Sequence, residues 1–432
     1  MKTKIESRRS FIKKSAIATI GIPFIVNGTA LGANGGSAAS DRITIGIIGA
    51  GGRSRSVTND FMKEKDVQFL GVCDVRKSHR EIAKKLIDNQ QGNQDCKMYR
   101  FHEDLLARND IDAVLIGTGD RGHAVLSAFA AAAGKDVYSE KPFSLTVGEG
   151  RAMVDIMKKY NRVWQCGTQR RSNPAYNFVA ESVLMGKIGK FEKATAYLGG
   201  PWSNRTAIEK IISPPPAEEF DYERWLCQSP YEKYSEARVN EWRVIWATGG
   251  GIICDMGPHY FDAIQAACGM EKESPVEFSG TTTWPEEGIA ETPVELDVIA
   301  KYQNGVEINI KNGPKGIKFE GDGGWMHITD EAVITASSPY LLEGQPEGNY
   351  SWQFIKSHIR DFIDCVKKRD LDTASNPERT QRMHTICHSA NLCLRLGRKL
   401  KWDYINERFV DDAEANTYLN RDMRKGWDIY KI

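Results

Sequence analysis

Beyond residue 40 the chain opens on an apolar run, ITIGII at 43–48, that stops at Gly49. A short β-branched run bounded by glycine predicts a strand buried on both faces, as in parallel sheets. The signature returns at 67–75 (VQFLGVCDV), 112–119 (DAVLIGTG) and 136–142 (DVYSEKP), with helical spacing between at 78–89 and 124–134. This alternation over residues 41–165 predicts an α/β unit with a doubly wound parallel sheet, which RVWQCGTQRR at 162–171 closes and leaves.

From about residue 190 the period of the pattern becomes two. Apolar and polar positions alternate in EKATAYLGG, PVEFSGTTTW, VELDVIAKYQ, VEINIKN and GIKFEGDGGWMHIT, and Asn304-Gly305 is a hairpin signal between two of them. Residues 166–432 are therefore expected to form an α+β domain with an open, largely antiparallel sheet and a C-terminal tail. Helical spacing resumes at 354–369 and 382–400, and both helices are expected to pack on that second sheet.

Composition agrees with two cores: 432 residues with 41% hydrophobic and 27% charged positions exceed what one core organises. Residues 1–40 hold six Lys/Arg and one Asp/Glu, which leaves the remainder at −4. A weakly acidic body without a basic run argues against nucleic acid and against electrostatic membrane attachment. The first 40 residues place Arg8 and Arg9 ahead of an apolar run and small residues, with a candidate cleavage point near Ala39. This resembles a twin-arginine export signal leading to the periplasm, with an uncleaved inner-membrane anchor as the alternative. The nine cysteines include no C-x-x-C and sit mostly in apolar patterns, so they read as buried thiols and not as a disulfide framework.

In GIIGAGGRS, Gly49, Gly51 and Ser54 occupy the G-x-G-x-x-G positions between a strand and a helix, with Gly52 and Arg53 in the turn. Glycines there let backbone approach a pyrophosphate at a helix N-terminus, and serine is small enough for the packing position. Asp74, 25 residues after Gly49 at the end of the second strand, is placed to bind adenosine ribose hydroxyls and to repel a 2′-phosphate, which favours NAD over NADP. YSEKPF puts Glu140 and Lys141 at the carboxyl end of another strand, where such sheets bind ligands.

Taken with TGDRGH at 118–123, GTQRR at 167–171 and GGGIICDMGPHYFD at 249–262, the order of motifs resembles the glucose-fructose oxidoreductase, inositol dehydrogenase and MocA family. The resemblance runs from residue 45 to the tail RLGRKLKWDYINERFVDDAEANTYLNR ending at residue 421. It implies a Rossmann domain, nicotinamide lying over the second sheet, and a catalytic trio at Lys141, Asp255 and His259. It also implies that Thr118, Asp120 and His123 flank the nicotinamide and its ribose, that Gln169 lies where the chain crosses between domains, and that the protein is a dimer or tetramer. Oxidation of a sugar hydroxyl needs a base within reach of the oxygen, a role open to His259 or Lys141.

Substrate contacts are expected among Arg170, Tyr197, Trp202, Arg205, Trp242, Arg243 and Trp246, because aromatic faces stack on sugar rings and arginine donates to hydroxyls. Asp255 and His259 lack a third metal ligand, so no metal is expected. The glycines at 249–251 read as room for backbone beneath the nicotinamide or sugar. Three activities stay open: oxidation of a sugar or glycoside at a secondary hydroxyl such as C3, an NAD-dependent glycosidase working through transient oxidation, and an inactive cofactor-binding sensor. Export away from the cytoplasmic NAD pool further suggests a tightly held, recycling cofactor.

Overall fold

The computed structural model describes residues 38–202, 207–348, 350 and 356–432; the twin-arginine stretch and Arg205 lie outside them. Six parallel strands form the first sheet: β1 (Ile43–Ile48), β2 (Val67–Cys73), β3 (Lys97–Tyr99), β4 (Ala113–Ile116), β5 (Asp136–Ser139) and β6 (Trp164–Cys166). Their order is β3-β2-β1-β4-β5-β6, and β1, β4, β5 and β6 are buried along their whole length. The apolar runs therefore have the two-sided burial that their lack of alternation requires. The three-residue edge strand β3 has no apolar run and left no mark in the pattern.

The second sheet joins β7 (Phe191–Gly199), β8 (Glu277–Thr283), β9 (Glu295–Lys301), β10 (Glu307–Lys311), β11 (Gly313–Gly321), β12 (Gly324–Thr329), β13 (Ile334–Ala336), β14 (Leu400–Asp403) and β15 (Arg408–Phe409). Their order is β13-β12-β11-β7-β10-β9-β8-β14-β15, antiparallel throughout except where β7 meets β10. β9 (Glu295–Lys301) alternates buried and exposed residues without exception, and Gly305, at φ +90°, turns it into β10. One face of this sheet is covered by the helices Gly251–Cys268 and Pro377–Leu396, which share its core with Ala194, Ala196, Leu198, Val298 and Ile308.

The helix Lys356–Lys368 goes elsewhere, contrary to the sequence expectation. Its Ile359, Phe362 and Ile363 are buried against the first sheet's helical layer, with the Phe362 ring 5.7 Å from Tyr138 and 6.1 Å from Phe61. Arg360 locks it there through Asp66 at 2.8 Å. Periodicity shows which face of a helix is apolar but says nothing about which sheet will receive it.

Chain segments from the second half also cross back over the carboxyl edge of the first sheet. Lys77 N–H donates to Glu219 O at 3.0 Å and Asp221 N–H to Val75 O at 3.0 Å, so residues 219–221 lie as a strap along the end of β2. Arg100 fixes the strap with two hydrogen bonds to Asp221 Oδ2, at 2.7 and 2.9 Å, and Arg224 adds an ion pair to Glu103 at 2.8 Å. Phe220, Tyr222, Trp225 and Tyr234 form its own small aromatic core.

Candidate active site

The turn after β1 is built for close backbone contact. Gly49 has φ +83°, and a Cβ there would come within 2.6 Å of Thr118 Cγ2 and 2.7 Å of Thr118 N. Gly51 and Gly52 face open space, and Gly51 caps the helix Gly52–Phe61 without any side-chain partner, leaving its first N–H groups directed outward. Ser54 fills the third fingerprint position by packing on Gly117, where a Cβ would meet its own Cβ at 2.5 Å. These features line a cavity of about 510 Å³ running from Gly49–Arg53 past Asp74 and Thr118 to Trp242 and Arg243. An uncapped helix N-terminus beside open glycines is suited to a pyrophosphate, and the cavity has room for the nucleotide attached to it.

Asp74 is 8% exposed, and part of its capacity is already used: Oδ2 accepts Ala50 N–H at 2.6 Å, Oδ1 accepts Arg76 N–H at 2.7 Å, and His79 Nδ1 lies 3.3 Å away. The carboxylate thus holds the glycine turn in shape as well as lining the cavity. Arg100, His102, Arg121, Arg224, Trp225 and Trp427 also line it, and none was singled out from sequence. Arg121 alone carried a signal, since it sits inside TGDRGH; its guanidinium packs 3.6 Å from the Trp225 ring centroid. The others come from distant segments with no shared motif.

At the other end of the carboxyl edge, Glu140 is buried between Arg53 Nε at 3.2 Å and Gln169 Nε2 at 2.9 Å. His123 is buried with Nδ1 2.7 Å from Pro142 O and Nε2 3.2 Å from Thr118 O; burial pushes it down to about 4, so it stays neutral and ties two loops together. Asp120 starts the helix Asp120–Ala132, and burial, against the pull of Lys141, raises it to about 7.

Lys141 and Asp255 meet across the two halves of the chain. Lys141 Nζ donates to Asp255 O at 2.5 Å and to Asp255 Oδ1 at 2.9 Å, and Arg243 Nε stands 3.4 Å from the same oxygen. Burial alone would raise the Asp255 carboxyl, but Lys141 and Arg243 outweigh it and hold it below the ordinary carboxylate range. His259, one helical turn further on, is 7% exposed, and its Nδ1 is buried without a hydrogen-bond partner. Burial first, then the charges of Arg170, Lys141 and Arg53, hold it well below the usual histidine value, so its imidazole is neutral and able to accept a proton. A neutral base beside a lysine paired to a carboxylate can deprotonate a hydroxyl while a cation faces the oxygen.

Gly249, Gly250 and Gly251, which lead into and begin this helix, lie tight against the protein's own atoms. A Cβ on Gly249 would come within 2.6 Å of Arg243 O, one on Gly250 within 2.3 Å of Cys254 Sγ, and one on Gly251 (φ +63°) within 2.7 Å of Thr292 Cβ. The tight turn thereby presses the 242–244 segment, with Arg243, against the start of the Asp255 helix.

The remaining candidates are scattered. Arg170 is bound to Asp330, which also accepts the Tyr260 hydroxyl at 3.0 Å, so it belongs to a buried network. Tyr197 lies on the face of β7 opposite the buried Ala196 and Leu198 and covers Gly313. Trp202 packs on the second core, and Trp246 sits between Arg395 and Arg421, at 4.7 and 5.1 Å. Trp242 and Arg243 alone of these reach the large cavity. Among the described residues, no group of three or more His, Cys, Asp or Glu is placed to hold a metal, and no helix is long and apolar enough to cross a membrane. All nine cysteines are free thiols, eight of them buried.

Comparison with known proteins bears on both halves. Residues 43–168 match the model for the oxidoreductase family NAD-binding Rossmann fold, and residues 193–429 match the oxidoreductase family C-terminal alpha/beta domain. The rhizopine catabolism protein MocA of Rhizobium meliloti is 26% identical over 230 residues, 53% of this chain and 58% of that protein. A glycosyl hydrolase family 109 protein of Shewanella baltica is 29% identical over 174 residues, covering 35% of this chain and 37% of that one. The chain thus spans about half the length of the curated relatives it matches. Myo-inositol 2-dehydrogenase of Thermotoga maritima is 26% identical over 63% of this chain and 69% of its own. Among solved structures, the aldose-aldose oxidoreductase of Caulobacter crescentus shares the fold with a TM-score of 0.61 at 18% identity, over 83% of this chain and 99% of that one. The chain belongs to the Gfo/Idh/MocA family of oxidoreductases, with an NAD-binding Rossmann half and the family's C-terminal alpha/beta half.

Proposed function

We propose that the protein oxidises a secondary hydroxyl of a sugar or glycoside, C3 being favoured, and returns the hydride without releasing its cofactor. The observation that carries this reading is the Lys141–Asp255 pair beside neutral His259 at the carboxyl edge of the nucleotide-binding sheet. The nicotinamide ring, when bound, supplies the hydride acceptor. His259 then takes the hydroxyl proton, Lys141 donates to the developing alkoxide, and Asp255 fixes the lysine. Gly49, Gly51, Gly52, Arg53 and Ser54 hold the pyrophosphate turn. Asp74 at the adenosine end favours NAD over NADP. Relatives named for inositol dehydrogenation and a fold neighbour named for aldose oxidation support a polyol or sugar as substrate.

Retention of the cofactor is supported by the strap at 219–221, which pairs with the backbone on either side of Arg76 and anchors Arg224 and Trp225, two residues of the cavity wall. Asp221→Ala removes both Arg100 bonds, and nucleotide release is expected to speed up about tenfold, the worth of a charged hydrogen bond. The check is the dissociation rate of nucleotide fluorescence from purified protein.

The second reading, an NAD-dependent glycosidase, is favoured by the match to glycosyl hydrolase family 109 proteins. Incubation with aryl glycosides separates the readings. Oxidoreduction changes nicotinamide absorbance without releasing aglycone, glycosidase action releases aglycone without net absorbance change, and an inactive sensor does neither.

Export by the twin-arginine route would place the enzyme in the periplasm with its cofactor already seated, since that route moves folded proteins. Changing Arg8 and Arg9 together to lysine is expected to leave the protein in the cytoplasm, as cell fractionation will record. The open face of the second sheet, with Ile299 exposed, is the surface through which we infer a dimer or tetramer to form.

A further inference from the structure

Behind Asp120, on the side away from the large cavity, three small hollows follow one another. The first, about 10 Å³, touches Asp120, Ser144, His388, Asn391 and Arg421. The second, about 20 Å³, shares His388 and Arg421 with it and adds Thr146 and Tyr418. The third, about 10 Å³, shares Thr146 and Arg421 and adds Glu149, Gln228 and Asp422. Beyond it a groove lined by Arg421, Asp422, Asp428 and Tyr430 opens to solvent.

Each hollow is about the size of a single water, and each sets a few polar side chains into a wall that is otherwise mostly apolar. Asn391 Oδ1 in the first and Gln228 Oε1 in the third are buried without a hydrogen-bond partner, as acceptors facing water would be. Ser144 Oγ and His388 Nε2 lie 3.3 Å apart at the first, and His384 Nδ1 stands 3.0 Å from the same His388 nitrogen. The row starts and ends at a buried carboxyl. Asp120 is 4% exposed and faces Lys141, Asp255, Arg243 and Arg121. Glu149 is 2% exposed; it accepts Leu145 N–H at 3.0 Å and Gln228 Nε2 at 2.7 Å, and it faces Arg421.

We propose that this file of hollows is the route by which the proton of the oxidised hydroxyl leaves, passing from the reaction centre to Asp120, along the file to Glu149, and into the groove at Asp422. The route rests on the hydride-transfer reading, in which a secondary alcohol and NAD⁺ give a ketone, NADH and one H⁺. That H⁺ neutralises the Asp120 carboxylate, moves as a shift of O–H bonds along the waters, and is given up by the Glu149 carboxyl to solvent. The Arg421 cation beside every hollow discourages a resident hydronium and leaves the two carboxyls as the stations. Both suit the task. Burial, against Lys141 at one and against the Leu145 N–H and Arg421 at the other, raises each to about 7, where a group gives and takes protons with equal ease.

Glu149 touches neither cavity nor trio, so its replacement tests the route alone. In wild type, a pH indicator and nicotinamide absorbance are expected to move in step when substrate reacts with the nucleotide-loaded protein. In Glu149→Gln, proton release is expected to lag and kcat to fall about tenfold or more with KM and nucleotide content unchanged. Asp120→Asn is expected to show the same lag. Infrared titration reads the stations without turnover: a carboxyl band titrating near neutrality should be present in wild type, weaker in Glu149→Gln, and weaker again when Asp120→Asn is added. Proton release in step with absorbance in Glu149→Gln, or a wild type without that band, overturns the route. A wild type in which no sugar or glycoside alters the nicotinamide overturns the hydride-transfer reading itself.

Discussion

Lys141→Met is expected to lower kcat by ~10³-fold while the purified protein still carries its nucleotide. Among the described residues, the lysine is the side chain that hydrogen-bonds Asp255 from the nucleotide-binding half. Methionine keeps the bulk and the apolar stem but removes every donor that could meet a developing alkoxide. The nucleotide should stay, because the glycine turn, Asp74 and the strap are untouched. With Lys141 gone, Arg243 remains as the close cation on Asp255, so its carboxyl should rise and the acid limb of any residual activity should move to higher pH. The measurements are turnover, nucleotide released on denaturation, and the pH profile. Loss of nucleotide together with activity would move Lys141 into the cofactor cradle.

Asp330→Ala is expected to cost stability on a comparable scale, about 3–5 kcal/mol. Arg170 and Asp330 have side-chain exposures of 5% and 10%, and the Tyr260 hydroxyl also depends on Asp330. Alanine would strand a guanidinium in the core, with the Tyr176 hydroxyl and the Tyr260 ring, 5.3 Å away, as its remaining partners. Because Arg170 is also the largest charge acting on His259, the histidine should become still harder to protonate. Denaturant unfolding gives the loss, and a value under ~1 kcal/mol would mean that water reaches Arg170 in the folded protein. Asp330→Asn, which keeps an acceptor but not the charge, should fall between.

Buried carboxyls add a pH dependence of the opposite sense to most acid denaturation. Asp120 and Glu149 are both raised to about 7 in the folded protein, so the native state binds protons that the unfolded chain releases. The stability they contribute is full below the ordinary carboxylate range and is lost as pH rises from there to about 7. Thermal unfolding followed across that interval should show a decline that Glu149→Gln makes shallower.

The sequence made the local chemistry legible where it was written in contiguous residues. The β1–turn–helix fingerprint, Asp74 at the end of β2, Lys141 at the end of β5 and the Asn304-Gly305 hairpin are each fixed by a few neighbouring positions, and the structure has those elements where the pattern predicts them. Three things escaped. The β3 edge strand is too short for periodicity, and the sheet that receives the Lys356–Lys368 helix is a tertiary choice. The far wall of the cavity is assembled from residues 100, 121, 224, 225 and 427, whose proximity no local pattern records. Gly249–Gly251 have a related ambiguity in sequence: a glycine announces a close approach but does not name the neighbour, which in the folded chain includes Arg243, Cys254 and Thr292.

The return of late residues to the first sheet bears on how the protein comes into being. Ile429 is buried in the nucleotide-binding half, Trp427 lines its cavity, and the helix Lys356–Lys368 covers its flank. During synthesis, then, the first 165 residues emerge with one side of the cavity, and its other side waits for residues 224–243 and 427. A chain that ends early therefore lacks part of the wall on one side of the cavity while keeping the glycine turn and Asp74 on the other.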